Sequence, residues 1–365
     1  MSIQSTHRPG RPRPALSRRA LLAGTAAGAV GLSLAACGKG KKAGSQADSK
    51  TVTVVTHDSF HVSDDLMKAF TSETGYTLKV ATSGDAGALV NKLVLTKDAP
   101  LGDAVFGIDN TYATRALDQG VIDTSATVTL PKGAESYVVA DTPALAPIDV
   151  GDVCLNIDTG YFTGKGLTPP ATFEDLTKPE YKGLLVAINP TNSSPGMAWL
   201  LATIGHFGAG SFADYWKQLV ANGARIAEDW SAAYETDFSG SGKGTYPIVV
   251  SYASSPSFTV SKDKSSSSTS ALLDTAFRQV EYAGVLKGAA NPEGGKAFVE
   301  WMLSKAVQED IPGQMYMYPV LPDAALPEAL TKFGPLSKAP VKVDPKEITA
   351  HREEWLNTWT GAVGK

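Results

Sequence analysis

The sequence predicts an α/β protein of two lobes, joined by crossing strands around a cleft. Three observations lead there. From Thr51 onward, short β-branched runs alternate with amphipathic helical runs, which implies parallel sheet with helices on both faces. A second block of the same kind follows the first. Between and after the blocks stand two extended segments, residues 144–158 and 277–288, placed where a chain would leave one lobe and return to it. The chain of 365 residues, 43% hydrophobic and 19% charged, is long enough for two cores.

The elements follow in order. "TVTVVT" (51–56) is a strand. "SDDLMKAFTSETG" (63–75) is a helix with Leu66, Met67 and Phe70 at helical spacing, Asp64 and Asp65 in the first turn where the dipole favours acids, and Gly75 at its end. "YTLKVAT" is a strand, "GALVNKLVLTK" a helix, "DAVFGI" a strand and "NTYATRALDQG" a helix closed by Gly120. "ALAPIDVGDVCLNID" (144–158) crosses over. The second block has strand "LLVAI", helices "PGMAWLLATIGHFG" and "FADYWKQLVANG", and strand "PIVVSY"; "KDKSSSSTS" (262–270) reads as a surface loop. "FRQVEYAGVLKG" (277–288) returns, followed by helix "PEGGKAFVEWMLS" and a C-terminal helical stretch with Trp355 and Trp359. One lobe is expected over 51–147 with 285–365, the other over 148–284.

The N-terminus has a different character. Arg8, Arg11, Arg13, Arg18 and Arg19 precede residue 37 and no acid does, so the formal charge of −4 conceals a more acidic body. That body argues against nucleic acid as a partner and favours a cationic one. The Ala- and Gly-rich run 20–36 is a secretion signal, too weakly hydrophobic for a membrane span. "SRRALL" looks like a twin-arginine signal, and "LAAC" (34–37) resembles the bacterial lipobox in which the cysteine is acylated. An ordinary signal with a chance cysteine is the alternative. The expectation is a signal peptide over 1–36, a lipid on Cys37, a polar tether over 37–50 and a mature protein outside the cytoplasmic membrane, held there by lipid. Cys154 is then a lone thiol without a disulfide, either a small core hydrophobe or a nucleophile.

Catalytic patterns are scarce. His57 and His61 are four apart but straddle a strand end and a loop, His206 and His351 have no partner at metal-ligand spacing, and neither a GxSxG elbow nor a phosphate-cradling GxxxxGK occurs, so neither metal nor cofactor is expected. Strand ends are more informative, because in open α/β sheets they face the crevice. "THDSF" places His57, Asp58 and Ser59 there, unless Asp58 or Ser59 caps the next helix. "GIDN" places Asp109 beside them. "NPTNSSPGMAW" (189–199) opens a helix whose free N–H groups, with Ser193, Ser194 and Gly196, suit an anionic group; a plain N-cap is the alternative. "EDWSAAYETD" (228–237) crowds Trp230 and Tyr234 among acids, which suits a flat or cationic ligand unless the two rings pack as core.

Eight segments in order carry a family resemblance: "DSF" (58–60), "DAVFGIDN" (103–110), "IDVG" (148–151), "SSPGMA" (193–198), "DWSAAYE" (229–235), "SYASSPSF" (251–258), "IP" (311–312) and "MYPV" (317–320). Over nearly its whole mature length the chain resembles the bacterial thiamine-binding proteins that deliver vitamin B1 to an ABC transporter. The resemblance implies a two-lobed type II periplasmic-binding-protein fold and a monomeric lipoprotein receptor without catalytic activity, partnered by a permease. It implies a pocket lined by Trp230, Tyr252 and Phe258, with Tyr316 adding an aromatic, "SSPG" taking the phosphate of thiamine esters, and Asp58 and Asp109 giving hydrogen bonds or counter-charge. Departures fall in the same region: His57 stands where members commonly have Tyr, Phe258 lacks a hydroxyl, and "DVGD" (149–152) replaces "DYGY". The cargo therefore stays open among thiamine, its phosphate esters, a pyrimidine precursor and a degradation product. Two rivals remain: the same scaffold carrying ferric iron or a polyamine, although Tyr316 and Tyr318 are not an adjacent pair, and a thiaminase-I-like enzyme using Cys154, for which no base partner is evident. Which of Asp58, Asp109, Asp149 and Asp152 reaches ligand is also open.

Overall fold

The computed structural model describes residues 50–364 except Gly242. The expected signal segment and the lipidation site Cys37 lie outside the described residues, as does the tether up to residue 49. The strands are β1 (Thr51–Thr56), β2 (Thr77–Thr82), β3 (Ala104–Asp109), β4 (Ala146–Asp158), β5 (Leu185–Ile188), β6 (Arg225–Ala227), β7 (Ile248–Tyr252), β8 (Thr269–Val285) and β9 (Tyr318–Pro319). The helices are α1 (Asp64–Thr74), α2 (Ala86–Leu95), α3 (Ala113–Asp118), α4 (Thr159–Lys165), α5 (Ser194–Phe207), α6 (Phe212–Ala221), α7 (Pro292–Met302), α8 (Lys305–Gln314), α9 (Glu328–Phe333) and α10 (Pro345–Val363).

The strands form one mixed sheet in the order β2-β1-β3-β8-β4-β7-β5-β6, with β9 paired to β4. Pairing is parallel within each α/β block, β1 with β2 and β3 and β5 with β6 and β7, as alternation predicts. It turns antiparallel at the two long crossing strands: β8 against β3 and β4, and β4 against β7. The sheet is therefore mixed where strict alternation implied parallel pairing throughout. Strands β3 and β5 are buried along their whole length, which explains why they read as continuous apolar runs rather than alternating ones.

Strand β8 begins at Thr269, eight residues before the expected return strand, so the last two residues of the serine-rich segment are strand and not loop. The cause is backbone pairing: Asp158, Ile157 and Asn156 of β4 need partners on the side away from β7, and Thr269, Ser270 and Ala271 supply them. Helix α1 starts after Ser63, so neither Asp58 nor Ser59 caps it; Gly75 closes it in the left-handed conformation at φ 75°. In helix α5 Ser193 is a true N-cap, its hydroxyl accepting the Gly196 N–H at 3.4 Å. The aromatic core runs from α5 through α6 to α10, with Trp199–Trp216 and Trp216–Trp359 ring centroids 5.2 and 5.6 Å apart in edge-to-face contacts.

Candidate functional site

A cavity of about 330 Å³ opens at the C-terminal ends of the parallel strands, where open α/β sheets present ligand sites. Most wall segments follow a strand. His57, Asp58 and Ser59 come after β1, Asp85 and Ala86 after β2, Ser194 and Pro195 after β5, Trp230, Ser231 and Glu235 after β6, and Tyr252 ends β7. Glu281 enters from the middle of β8, and Gln314, Met315, Tyr316 and Met317 from the turn beyond α8.

The aromatic side is rigid. Trp230 and Tyr234 stack with centroids 5.0 Å apart and planes 12° from parallel, on a segment that winds into a π-helical turn over Ala232–Asp237. The Trp230 Nε1–H donates to Ser251 Oγ at 3.0 Å, and Ser251 shares a 2.9 Å hydroxyl contact with Ser255, so the indole is held in orientation. Tyr316 has φ 65°, a left-handed conformation uncommon for a tyrosine and characteristic of residues held by a functional site. Phe258 packs on it with centroids 3.5 Å apart.

The acidic side is held by backbone. Asp85 caps α2: its Oδ1 accepts the Ala86 N–H at 2.6 Å and the Ser194 N–H at 3.4 Å, and its Oδ2 accepts the Trp230 N–H at 3.3 Å. One carboxylate thus ties the β1–β2 side of the cavity to the α5 and Trp230 side. Burial pushes the Asp85 pKa up, against the pull of the Ser193 hydroxyl and these N–H groups. Asp109 is fully buried behind the wall; Thr111 donates to its Oδ1 through N–H at 3.0 Å and hydroxyl at 2.7 Å, yet burial still pushes it up to about 7. Asp152 is structural. It takes a bidentate pair from Arg278 at 2.7 and 2.9 Å and the Ser337 N–H at 2.6 Å, so it is not available to a ligand.

Of the residues expected at the site, the structure brings His57, Asp58, Ser59, Ser194, Trp230, Tyr252 and Tyr316 to the cavity wall. Asp109, Ser193, Gly196, Tyr234 and Phe258 are not on it. Ser193 caps and bonds Asp85, and Tyr234 backs Trp230. Phe258 backs Tyr316, and Gly196 lets α5 approach β5 so closely that a Cβ would sit 2.9 Å from the Asn189 carbonyl oxygen. Sequence reasoning missed Asp85, Glu235, Glu281, Gln314, Met315 and Met317. Asp85 reads as an ordinary N-cap, whereas Glu281, an acid inside the apolar return strand, was a signal that could have been used.

Cys154 lies fully buried against Ala253 and Ala276, where burial raises its thiol pKa far above the ordinary value. Among the described residues, no group of three or more His, Cys, Asp or Glu is arranged to hold a metal ion, and no helix is long and apolar enough to cross a membrane.

Residues 103–335 match the family described as bacterial extracellular solute-binding protein. The chain belongs to that family. Among its relatives, the thiamine-binding periplasmic protein of Salmonella typhimurium is 27% identical over 326 residues, covering 86% of this chain and 94% of that protein. Among solved structures, a periplasmic thiamin binding protein superimposes with a TM-score of 0.74 at 25% identity, covering 86% of this chain and 96% of that one. A ferric binding protein from Campylobacter jejuni has a TM-score of 0.66 at 16% identity, covering 85% and 99%, and shares the fold alone. The chain therefore has the type II periplasmic-binding-protein architecture expected from the alternating blocks.

Proposed function

We propose that this solute-binding protein captures thiamine or one of its phosphate esters and passes it to the permease of an ABC transporter. One observation carries the reading: a single cavity is lined both by the aromatic residues Trp230, Tyr252 and Tyr316 and by the acids Asp58, Asp85, Glu235 and Glu281. Thiamine needs both, because its thiazolium carries a permanent positive charge and both its rings are flat. A cation over an aromatic face gains roughly 0.5 to 2 kcal/mol, and more when water is excluded. The names of the similar proteins support the same ligand.

In this reading the 51–147 and 285–365 segments form one lobe and 148–284 the other. Ligand contacts to both lobes at once favour the closed form. At the start of α5 the Ser194 N–H already meets Asp85 and the Gly196 N–H meets Ser193, so the phosphate of an ester enters there only by displacing Asp85. Cys37 carries the lipid that holds a monomeric receptor at the outer face of the membrane. The protein acts by binding and not by catalysis, a reading supported by the burial of Cys154 among small side chains.

The test is calorimetric titration with thiamine, thiamine phosphate and the free pyrimidine, with tryptophan fluorescence recorded in parallel. Sub-micromolar binding of thiamine or its phosphate with quenching is expected. No heat and no quenching from folded protein with any of the three would overturn the ligand.

A further inference from the structure

Three buried carboxyl groups stand in one row behind the cavity. Asp109 on β3, Glu281 on β8 and Asp149 on β4 occupy neighbouring strands, with Glu281 directly opposite each of the other two. Opposite residues on paired strands project to the same face at a spacing of about 5 Å. None of the three is more than 5% exposed. Like charges that close in a dry setting are not all ionised together.

The surroundings of the three differ. Neither oxygen of Asp149 meets a donor, and burial together with Glu281 holds its pKa well above the usual carboxylate range, so it retains its proton. Asp109 keeps Oδ2 without a partner and is also raised by burial, despite Thr111 and the more distant Arg352 of α10. Glu281 alone reaches the cavity wall, and it alone has a basic side chain at hand: His57 Nε2 lies 3.3 Å from Glu281 Oε1. Among the described residues Nε2 makes no other polar contact, and it belongs to a side chain that is only 9% exposed and borders the same cavity.

Every charged group facing His57 is acidic. Burial lowers its pKa, but Glu281, then Asp85 and Asp58, outweigh burial and the net displacement is upward. The Phe106 ring, 5.4 Å away, covers another side. The Ser59 N–H donates to Nδ1 at 3.2 Å, so adding a second proton to the ring breaks that bond, on the side where Ser59 is exposed.

We propose that Glu281 is the counter-charge for the cationic part of the ligand, and that in the empty cleft His57 occupies this charge and gives it up on binding. The inference rests on the cationic-ligand reading above. The exchange balances: the imidazolium loses its Nδ1 proton to solvent, the neutral ring remains, and the ligand's fixed charge takes its place beside Glu281. A positive charge near Glu281 lowers the His57 pKa, so affinity rises with pH between the bound and free His57 pKa values and is flat above the free one. The site thereby selects one positive charge, and a neutral ligand gains nothing from Glu281.

The test measures thiamine affinity from about pH 5.5 to 8 for the protein, for Glu281→Gln and for His57→Gln, with proton release read from calorimetry in two buffers of different ionisation heat. The protein should gain up to about tenfold in affinity per pH unit below the free His57 pKa and release a proton there. His57→Gln should bind with no such slope and no release. Glu281→Gln should bind at least tenfold more weakly at pH 8. The ligand's own titration is common to all three proteins and cancels. A flat profile in the unmodified protein, or a slope that survives His57→Gln, overturns the inference while leaving thiamine as ligand. If thiamine does not bind at all, the ligand reading fails, and NMR titration of the His57 ring decides the pair. A lower His57 pKa in Glu281→Gln supports it, and an unchanged one overturns it. Should Glu281→Gln fail to fold, the slope comparison with His57→Gln still decides.

Discussion

Asp152 and Arg278 form a two-bonded ion pair across β4 and β8, the carboxylate fully buried and the guanidinium side chain 31% exposed. The same Arg278 also donates to the Ser337 carbonyl at 2.9 Å, so one pair pins the two crossing strands to the chain that leads into α10. Removing the acid leaves Arg278 without its partner. Asp152→Ala is expected to cost about 3 kcal/mol, the low end for a broken buried pair because water can still reach the arginine. Urea denaturation measures this, and the ligand affinity of the folded fraction should not change.

Trp230 lines the cavity and stacks on Tyr234. Trp230→Ala removes the indole and is expected to weaken thiamine binding by about 30-fold, the equivalent of roughly 2 kcal/mol. Trp230→Phe should recover part of the loss and Tyr234→Phe should cost little. Unchanged affinity in Trp230→Ala would remove the indole from the site.

The Cys154 thiol should be inert in the native protein. Burial holds it protonated, and only the thiolate attacks. A disulfide reagent is expected to label it only once denaturant opens the core. Thiamine incubated with a nucleophilic base should be recovered intact, and turnover that disappears in Cys154→Ser would show an enzyme instead.

The raised Asp109 carboxyl makes a directional prediction about pH. Its folded pKa of about 7 lies above its unfolded value, so the folded protein binds more protons between roughly pH 4 and 7. Its contribution to stability therefore falls as pH rises through that window and is constant above it. Asp109→Asn removes the penalty, so relative to the parent it should gain a few kcal/mol between about pH 4.5 and 8. Denaturation midpoints at the two pH values test the sign.

Gly107 sits at φ 98°, where the β3–β8 register shifts between Phe106 and Ile108, and a Cβ there would lie 2.0 Å from His57 Cδ2. Gly107→Ala is expected to cost more than about 2 kcal/mol through backbone strain and displacement of the imidazole. Its binding should also lose the pH dependence assigned to His57.

Much of this arrangement could be read from periodicity. The strands β1, β3, β5 and β7 are short apolar or β-branched runs bounded by turn residues, and the helices between them keep a face, so alternation and the two crossing segments were legible. The first residues of β8 were not, because Thr269 and Ser270 close a stretch of loop composition and become strand only through pairing with β4. At the site, residues directly after strands β1, β5 and β6 were legible because topology alone sends strand ends to the crevice. Helical spacing put Trp230 and Tyr234 together without showing which of them meets the cavity. Asp109, Glu281 and Asp149 are far apart in the chain, and only the strand order β3-β8-β4 brings them into one row.

The last helix has a consequence for how the protein is made. Trp359 covers Trp216 of α6, and Arg352 lies 4.1 Å above the Tyr112 ring at the start of α3, so the packing of both rings is completed only by α10. Strand β8 likewise supplies β3 with its neighbour only after residue 269 has been synthesised. In a chain made from its N-terminus, the Trp216 indole therefore lacks its Trp359 cover until α10 has been made, and over that interval it is an aromatic surface that a chaperone can bind.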